Sequence, residues 1–145
     1  MVTRAKRILV VDDEPDFVAC LKTIFEADGF TVTTASDGQE ALSRVQETPP
    51  DLVTLDIQMP RKTGLLFFRQ MKSDAKLRSI PVIVITGLRR LNDYAGPFIE
   101  RFFEVEERKI VPEAYVDKPV DMRWLLAMVR EFLRGPQPLP GGASA

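Results

Sequence analysis

A doubly wound α/β fold on a five-stranded parallel sheet is the fold class this sequence predicts, and three observations lead to it. Short runs rich in β-branched residues recur at Ile8 to Val11, Phe30 to Thr34, Leu52 to Leu55, Val82 to Ile85 and Ala114 to Val116. Longer stretches of helical periodicity separate them. The first run, Arg7-Ile-Leu-Val-Val-Asp-Asp, is apolar without alternation, as a strand covered on both faces of a parallel sheet must be.

The helices follow in order. Phe17, Leu21, Ile24 and Phe25 fall at i, i+4, i+7 and i+8, a stripe that Asp28-Gly29 ends. Ala41, Leu42 and Val45 mark a second helix, and Leu66 to Met71 a third. Between Thr86 and Lys118 lie 31 residues, more than one connecting helix needs. Pro97 suits a helix start better than a helix middle. The spacing therefore predicts a loop from Leu88 to Gly96 and a fourth helix from about Pro97 to Lys109, with Phe98, Ile99, Phe102, Phe103 and Val105 on its apolar face. The clearest amphipathic pattern is the last: Met122, Leu125, Leu126, Val129, Phe132 and Leu133, opened by Asp121 as N-cap and stopped by Gly135-Pro136. Trp124 and the Phe98, Phe102 and Phe103 stripe are assigned to the core. One domain over residues 6–134 is expected, followed by a Pro/Gly-rich flexible tail, 135–145. No effector domain is expected in the 11 residues after the last helix.

Composition narrows the function. The 145 residues, 45% hydrophobic, suit one globular domain. Twenty basic and 21 acidic residues give a net charge of −1, without the positive excess that phosphate backbones attract, so nucleic acid is not an expected partner. The single cysteine, Cys20, has no second thiol for a disulfide or a thiolate metal site, and a reducing cytoplasm is the expected location. No apolar run approaches the roughly 20 residues that cross a bilayer, so no membrane partner is expected. The chain contains no histidine. Any chemistry must rest on carboxylates, hydroxyls and lysines.

In a parallel α/β sheet, sites form outside the carboxyl ends of the strands. Strand one ends in Asp12-Asp13-Glu14, strand three in Asp56, strand four in Thr86-Gly87 and strand five in Asp117-Lys118-Pro119. Each alone has a plain structural reading: the acid run could cap the first helix, Asp56 could form a turn, and Thr86 and Tyr115 could be strand and core residues. Together they set acids, a hydroxyl and an ammonium on one rim. Crowded carboxylates repel one another and call for a cation, and hard oxygen ligands suit Mg²⁺.

The set Asp12-Asp13, Asp56 with Met59-Pro60 and Gly64, Thr86-Gly87, and Tyr115 before Lys118-Pro119 resembles the receiver domain of bacterial two-component response regulators, in its stand-alone, chemotaxis-regulator-like form. The resemblance implies a flavodoxin-like sheet in the order 2-1-3-4-5. It makes Asp56 the acceptor of a phosphoryl group from the phosphohistidine of a histidine kinase or phosphotransfer protein, with Lys118 and Thr86 as further catalytic groups. It implies that Asp13, Asp56 and the carbonyl of Gln58 hold Mg²⁺, with Asp12 acting through water. A cis Lys118-Pro119 bond is implied too. Thr86 and Tyr115 would form the switch that changes the face of the fourth helix, fifth strand and fifth helix, offered to a downstream protein or a second copy. Gln58 and Leu88 occupy the positions that influence the hydrolytic water in that family, and a long-lived acyl phosphate is expected. Such a protein is not a conventional enzyme.

Three other readings stand beside this one. An Asp-nucleophile phosphohydrolase of the haloacid dehalogenase type wants a second acid two residues after the nucleophile, where Gln58 stands. A flavodoxin-type cofactor binder wants a hydroxyl- or glycine-rich loop after the first strand, where acids stand. A degenerate receiver would act only as a protein-binding module.

Overall fold

Strand β1 (Arg7–Val11) lies near the middle of a five-stranded, all-parallel sheet whose order is β2-β1-β3-β4-β7. Its companions are β2 (Thr31–Ala35), β3 (Leu52–Leu55), β4 (Val82–Thr86) and β7 (Ala114–Asp117). The helices are α1 (Pro15–Ala27), α2 (Gly38–Glu47), α3 (Thr63–Ser73) and α4 (Met122–Arg134). The structure, a computed structural model, describes residues 4–57, 59, 63–87, 104–105, 108–109 and 111–134. This is the predicted order 2-1-3-4-5, with β7 as the fifth strand of the sheet.

Alternation along each strand divides the core in two. Ile8, Val10, Leu52, Ile83, Ile85 and Val116 face α1 and α4, whose Leu21, Phe25, Leu125 and Val129 complete that layer. Leu9, Val11, Val53, Leu55, Val82 and Val84 face α2 and α3, with Ala41, Val45, Phe67, Phe68 and Met71. Burial on both faces explains why β1 and β3 lack polar alternation.

Local chemistry sets the helix ends. Pro15 opens α1, where a missing N–H costs nothing. At the other end Phe30 N–H donates to Phe25 O and Gly29 N–H to Glu26 O, while Gly29 takes a φ of 93°. That is the Schellman arrangement, and its apolar contact is present as an edge-on pair of the Phe25 and Phe30 rings, 6.5 Å apart. Asp37 caps α2 by accepting from Glu40 N–H at 2.7 Å. Asp121 caps α4 as predicted, accepting from the N–H groups of Arg123 and Trp124.

The end of α1 is also clasped to α4. Arg130 reaches both carboxylate oxygens of Asp28, and Arg134 donates to Asp28 Oδ2 at 3.1 Å and to Asp28 O at 2.9 Å. The Arg130 hydrogen bonds hold the Asp28 carboxyl below its ordinary range, against the opposing effect of burial. A depressed carboxyl lends stability above its unfolded value and loses it as the pH falls through the folded one. Asp28→Asn is therefore expected to lower the melting temperature by roughly 2–5 °C at neutral pH, the partners being exposed and screened. In acid, once Asp28 is protonated in the wild type, melting curves of the two proteins should converge.

Two expectations are corrected. The predicted helix from about Pro97 to Lys109 does not hold over its last turns, where β5 (Glu104–Val105) and β6 (Arg108–Lys109) pair antiparallel, Glu104 opposite Lys109 and Val105 opposite Arg108. Phe103-Glu104-Val105-Glu106 alternates with a period of two, a signal that the helical reading overrode. The earlier part of that helix, the loop 88–96 and the tail 135–145 lie outside the described residues. Trp124, assigned to the core, is 51% exposed, and Phe132 is exposed as well. At about 100° per residue, Trp124 is turned roughly 120° away from the centre of the Leu125 and Val129 face.

Candidate functional site

The carboxyl ends of β1, β3, β4 and β7 carry the predicted chemistry, and register brings it together. Val11 pairs with Leu55, Leu55 with Val84, and Val84 with Tyr115. The residues just beyond share one rim. Ladder bonds continue past the strands: Asp12 N–H donates to Ala35 O at 3.1 Å and Asp56 N–H to Val11 O at 2.9 Å. Both acids are thereby fixed and nearly covered, Asp12 being 3% and Asp56 4% exposed.

Carboxylate oxygens of Asp12, Asp13 and Asp56 lie within 4.8 Å of one another. Lys118 Nζ donates to Asp12 Oδ2 at 2.9 Å, to Glu14 Oε1 at 2.9 Å and to Asp56 Oδ2 at 3.3 Å. The Phe17 ring lies beneath the same ammonium, 4.5 Å from its centroid. The Lys118-Pro119 bond is cis, as the resemblance implies.

The electrostatics follow from this crowding. Burial raises the Asp12 carboxyl above its ordinary value and the Asp56 charge adds to the rise, while the Glu14 N–H at 2.9 Å and Lys118 pull against it. A carboxyl shifted upward makes its own charge a cost to the fold at neutral pH. Burial works to lower the Lys118 ammonium, yet the hydrogen bonds to Glu14 and Asp12 and the charges of Asp56 and Asp12 outweigh it, and the net shift is upward. Lys118 is a fixed cation at neutral pH. Burial also pushes the Tyr115 phenol upward.

This donor set fits Mg²⁺. At metal–oxygen distances of about 2.0–2.1 Å an octahedral ion holds its ligand oxygens roughly 3 to 4 Å apart, within small side-chain adjustments of the spacing here. Burial is the main reason the Asp12 carboxyl is raised, and a cation there would relieve the Asp56 repulsion that adds to it.

The structure thus brings Asp12, Asp13, Asp56 and Lys118 together. Thr86 is the last residue of β4, paired with Asp117. The Thr86 side chain and Gln58 lie outside the described residues, as does Leu88. Tyr115 sits exposed on β7, at the edge of the sheet.

Two residues at the rim were not singled out by sequence reasoning. Glu14 belongs to the acid run after β1 but had no assigned role. Phe17 was read only as core. A third contribution is steric: a Cβ on Gly64 would lie 2.6 Å from Asp56 O and 2.9 Å from Ile57 Cα. The bare first turn of α3 lets it rest against the segment that carries Asp56.

A parallel sheet of this order, with an acid pocket and a lysine at its carboxyl rim, defines the CheY-like class of α/β domains. The family model of the response regulator receiver domain matches residues 8–130. The chain belongs to the response regulator receiver domain family. It is 33% identical over 129 residues to the alkaline phosphatase synthesis transcriptional regulatory protein PhoP of Bacillus subtilis, covering 89% of this chain and 49% of that one. The chain therefore spans about half the length of that relative. It is 30% identical over 128 residues to the polar-differentiation response regulator DivK of Brucella ovis, covering 88% of this chain and 96% of that one. The crystal structure of a CheY-like response regulator receiver domain protein from Methanospirillum hungatei JF-1 superposes with a TM-score of 0.72 at 29% identity, covering 90% of this chain and 95% of that chain. Membership places the chain among the signalling switches of two-component systems. Among the described residues, no helix is long and apolar enough to cross a membrane.

Proposed function

We propose that this chain is a phospho-acceptor switch in which Asp56 takes a phosphoryl group from the phosphohistidine of a histidine kinase or phosphotransfer protein. One observation carries the reading: Lys118 Nζ reaches both Asp12 and Asp56 where three carboxylates gather within 4.8 Å. Phosphoryl transfer asks the protein for alignment and for positive charge around the equatorial oxygens more than for covalent help. Lys118 supplies one such charge as a point cation. Mg²⁺, when bound, supplies the second by neutralising charge on the transferring group. Asp13, Asp56 and the Gln58 carbonyl would hold it, and Asp12, whose oxygens accept from the Glu14 N–H and Lys118, would act through water.

Thr86 would offer its hydroxyl to the phosphoryl group, and Tyr115 would follow its movement. The output is a changed surface around β7 and α4, where Tyr115, Trp124 and Phe132 are exposed, offered to a downstream protein or a second copy. Against a phosphohydrolase of the Asp-nucleophile type stands Gln58, which lacks the acid that such chemistry needs two residues on.

Incubation with acetyl phosphate and Mg²⁺ followed by intact mass tests the proposal. The wild type should gain one phosphoryl unit, and neither Asp56→Asn nor wild type in EDTA should gain it. Continuous turnover of small phosphate esters would instead favour the hydrolase.

A further inference from the structure

A lysine ammonium has three N–H donors, and in Lys118 all three are directed at carboxylates. Two bonds are short, to Asp12 Oδ2 and Glu14 Oε1, both at 2.9 Å. The third, to Asp56 Oδ2, is longer at 3.3 Å. The ammonium is thus anchored from the turn between β1 and α1, leaving its remaining N–H toward the acceptor carboxylate.

Glu14 has a plainer role available, as the N-cap of α1, but its side chain makes no capping hydrogen bond. Nor does it brace the fold, for its side chain is 62% exposed, and ion pairs that open to water contribute little stability. What the contact does is restrict where a long, rotatable side chain points.

We propose that Glu14 is a positioning residue for phosphoryl acceptance: with Asp12 it orients Lys118 so that the third N–H of the ammonium, directed at Asp56 Oδ2, can meet an oxygen of the phosphoryl group on Asp56. The inference rests on the acceptor reading above. In the step concerned, an Asp56 carboxylate oxygen forms a bond to phosphorus as the bond from phosphorus to the donor's leaving group breaks. The electron pair departs with that group, acetate when the donor is acetyl phosphate. Lys118 stays protonated, and its N–H shifts from Asp56 Oδ2 to a phosphoryl oxygen while the Asp12 and Glu14 bonds persist. Because Glu14 acts through orientation, its effect belongs in the maximal rate rather than in donor or Mg²⁺ binding.

The experiment follows phosphorylation of the full chain by acetyl phosphate, by intact mass, across donor and Mg²⁺ concentrations. Glu14→Ala is expected to lower the maximal rate about three- to tenfold while leaving both half-saturating concentrations within about twofold of wild type. Glu14→Gln, which keeps an acceptor oxygen, should recover most of the rate. In a Lys118→Met background, Glu14→Ala should have no further effect, since its route is lost. Melting temperatures of the Glu14 variants should match wild type. A Glu14→Ala protein with full maximal rate overturns the inference, as does an equal slowing in the Lys118→Met background. Should the wild type take no phosphoryl group at all, the acceptor reading falls first and this inference with it.

Discussion

Gly64→Ala is expected to slow phosphoryl acceptance on the order of a hundredfold and to destabilise the protein by about 1–3 kcal/mol. The added Cβ would meet Asp56 O at 2.6 Å and Ile57 Cα at 2.9 Å, both backbone atoms, and Met59 Cε at 3.3 Å. The methionine end can swing away. The backbone cannot, because the Asp56 N–H is tied to Val11 O at 2.9 Å as a continuation of the β1–β3 ladder. Either the first turn of α3 lifts from the sheet or the Asp56 carboxylate turns away from Lys118. The first route costs stability and the second costs alignment, and alignment is what phosphoryl transfer demands of a protein. A thermal melt and an acetyl phosphate time course, run on the same preparation, separate the two routes. Wild-type behaviour in both would mean that α3 does not rest on the acceptor segment.

Most of this site is legible in the sequence because its parts follow from a rule of the fold. Once β1, β3, β4 and β7 are parallel, the residues after their last apolar positions must share a rim, so Asp12, Asp56 and Lys118 could be placed together from strand ends alone. The strands themselves stood out because burial on both faces demands unbroken β-branched runs. The amphipathic pattern located α4, and Trp124 falls outside its apolar stripe, so assigning that ring to the core set aromatic character above position on the helix. Segment 104–109 was misread because a short apolar run satisfies both periods, and only pairing decides between them. Glu14 escaped notice because its role depends on how far a lysine reaches from a segment 104 residues away. No periodicity encodes that distance.

The same lack of local signal hides the largest stability effect expected. Lys72 stands among the polar residues Arg69, Gln70 and Ser73 in the last turns of α3, where nothing in the sequence marks it as buried, yet in the structure it is buried with all three donors used. Its Nζ donates to Glu113 Oε1 at 2.7 Å, Arg78 O at 3.0 Å and Ile80 O at 3.1 Å. Glu113 in turn accepts from Val82 N–H at 2.6 Å through Oε2 and donates its own N–H to Val82 O at 3.0 Å. The cluster fastens α3, the turn before β4 and the approach to β7. Lys72→Met keeps the stem and deletes the ammonium, leaving two carbonyls and a carboxylate oxygen without it. Breaking a buried pair costs about 3–5 kcal/mol. Glu113 is 31% exposed, so water can take up part of its charge and the lower end, about 3 kcal/mol, is expected. That corresponds to a fall in melting temperature of roughly 10 °C. Adding Glu113→Gln should restore part of the loss by removing the stranded charge. Val82 begins β4, whereas the acceptor rim lies beyond the other end of the sheet. Well below its melting point, the Lys72→Met protein should therefore accept a phosphoryl group from acetyl phosphate at close to the wild-type rate, unlike Gly64→Ala. A folded Lys72→Met protein that has lost acceptance would show instead that β4 couples its two ends.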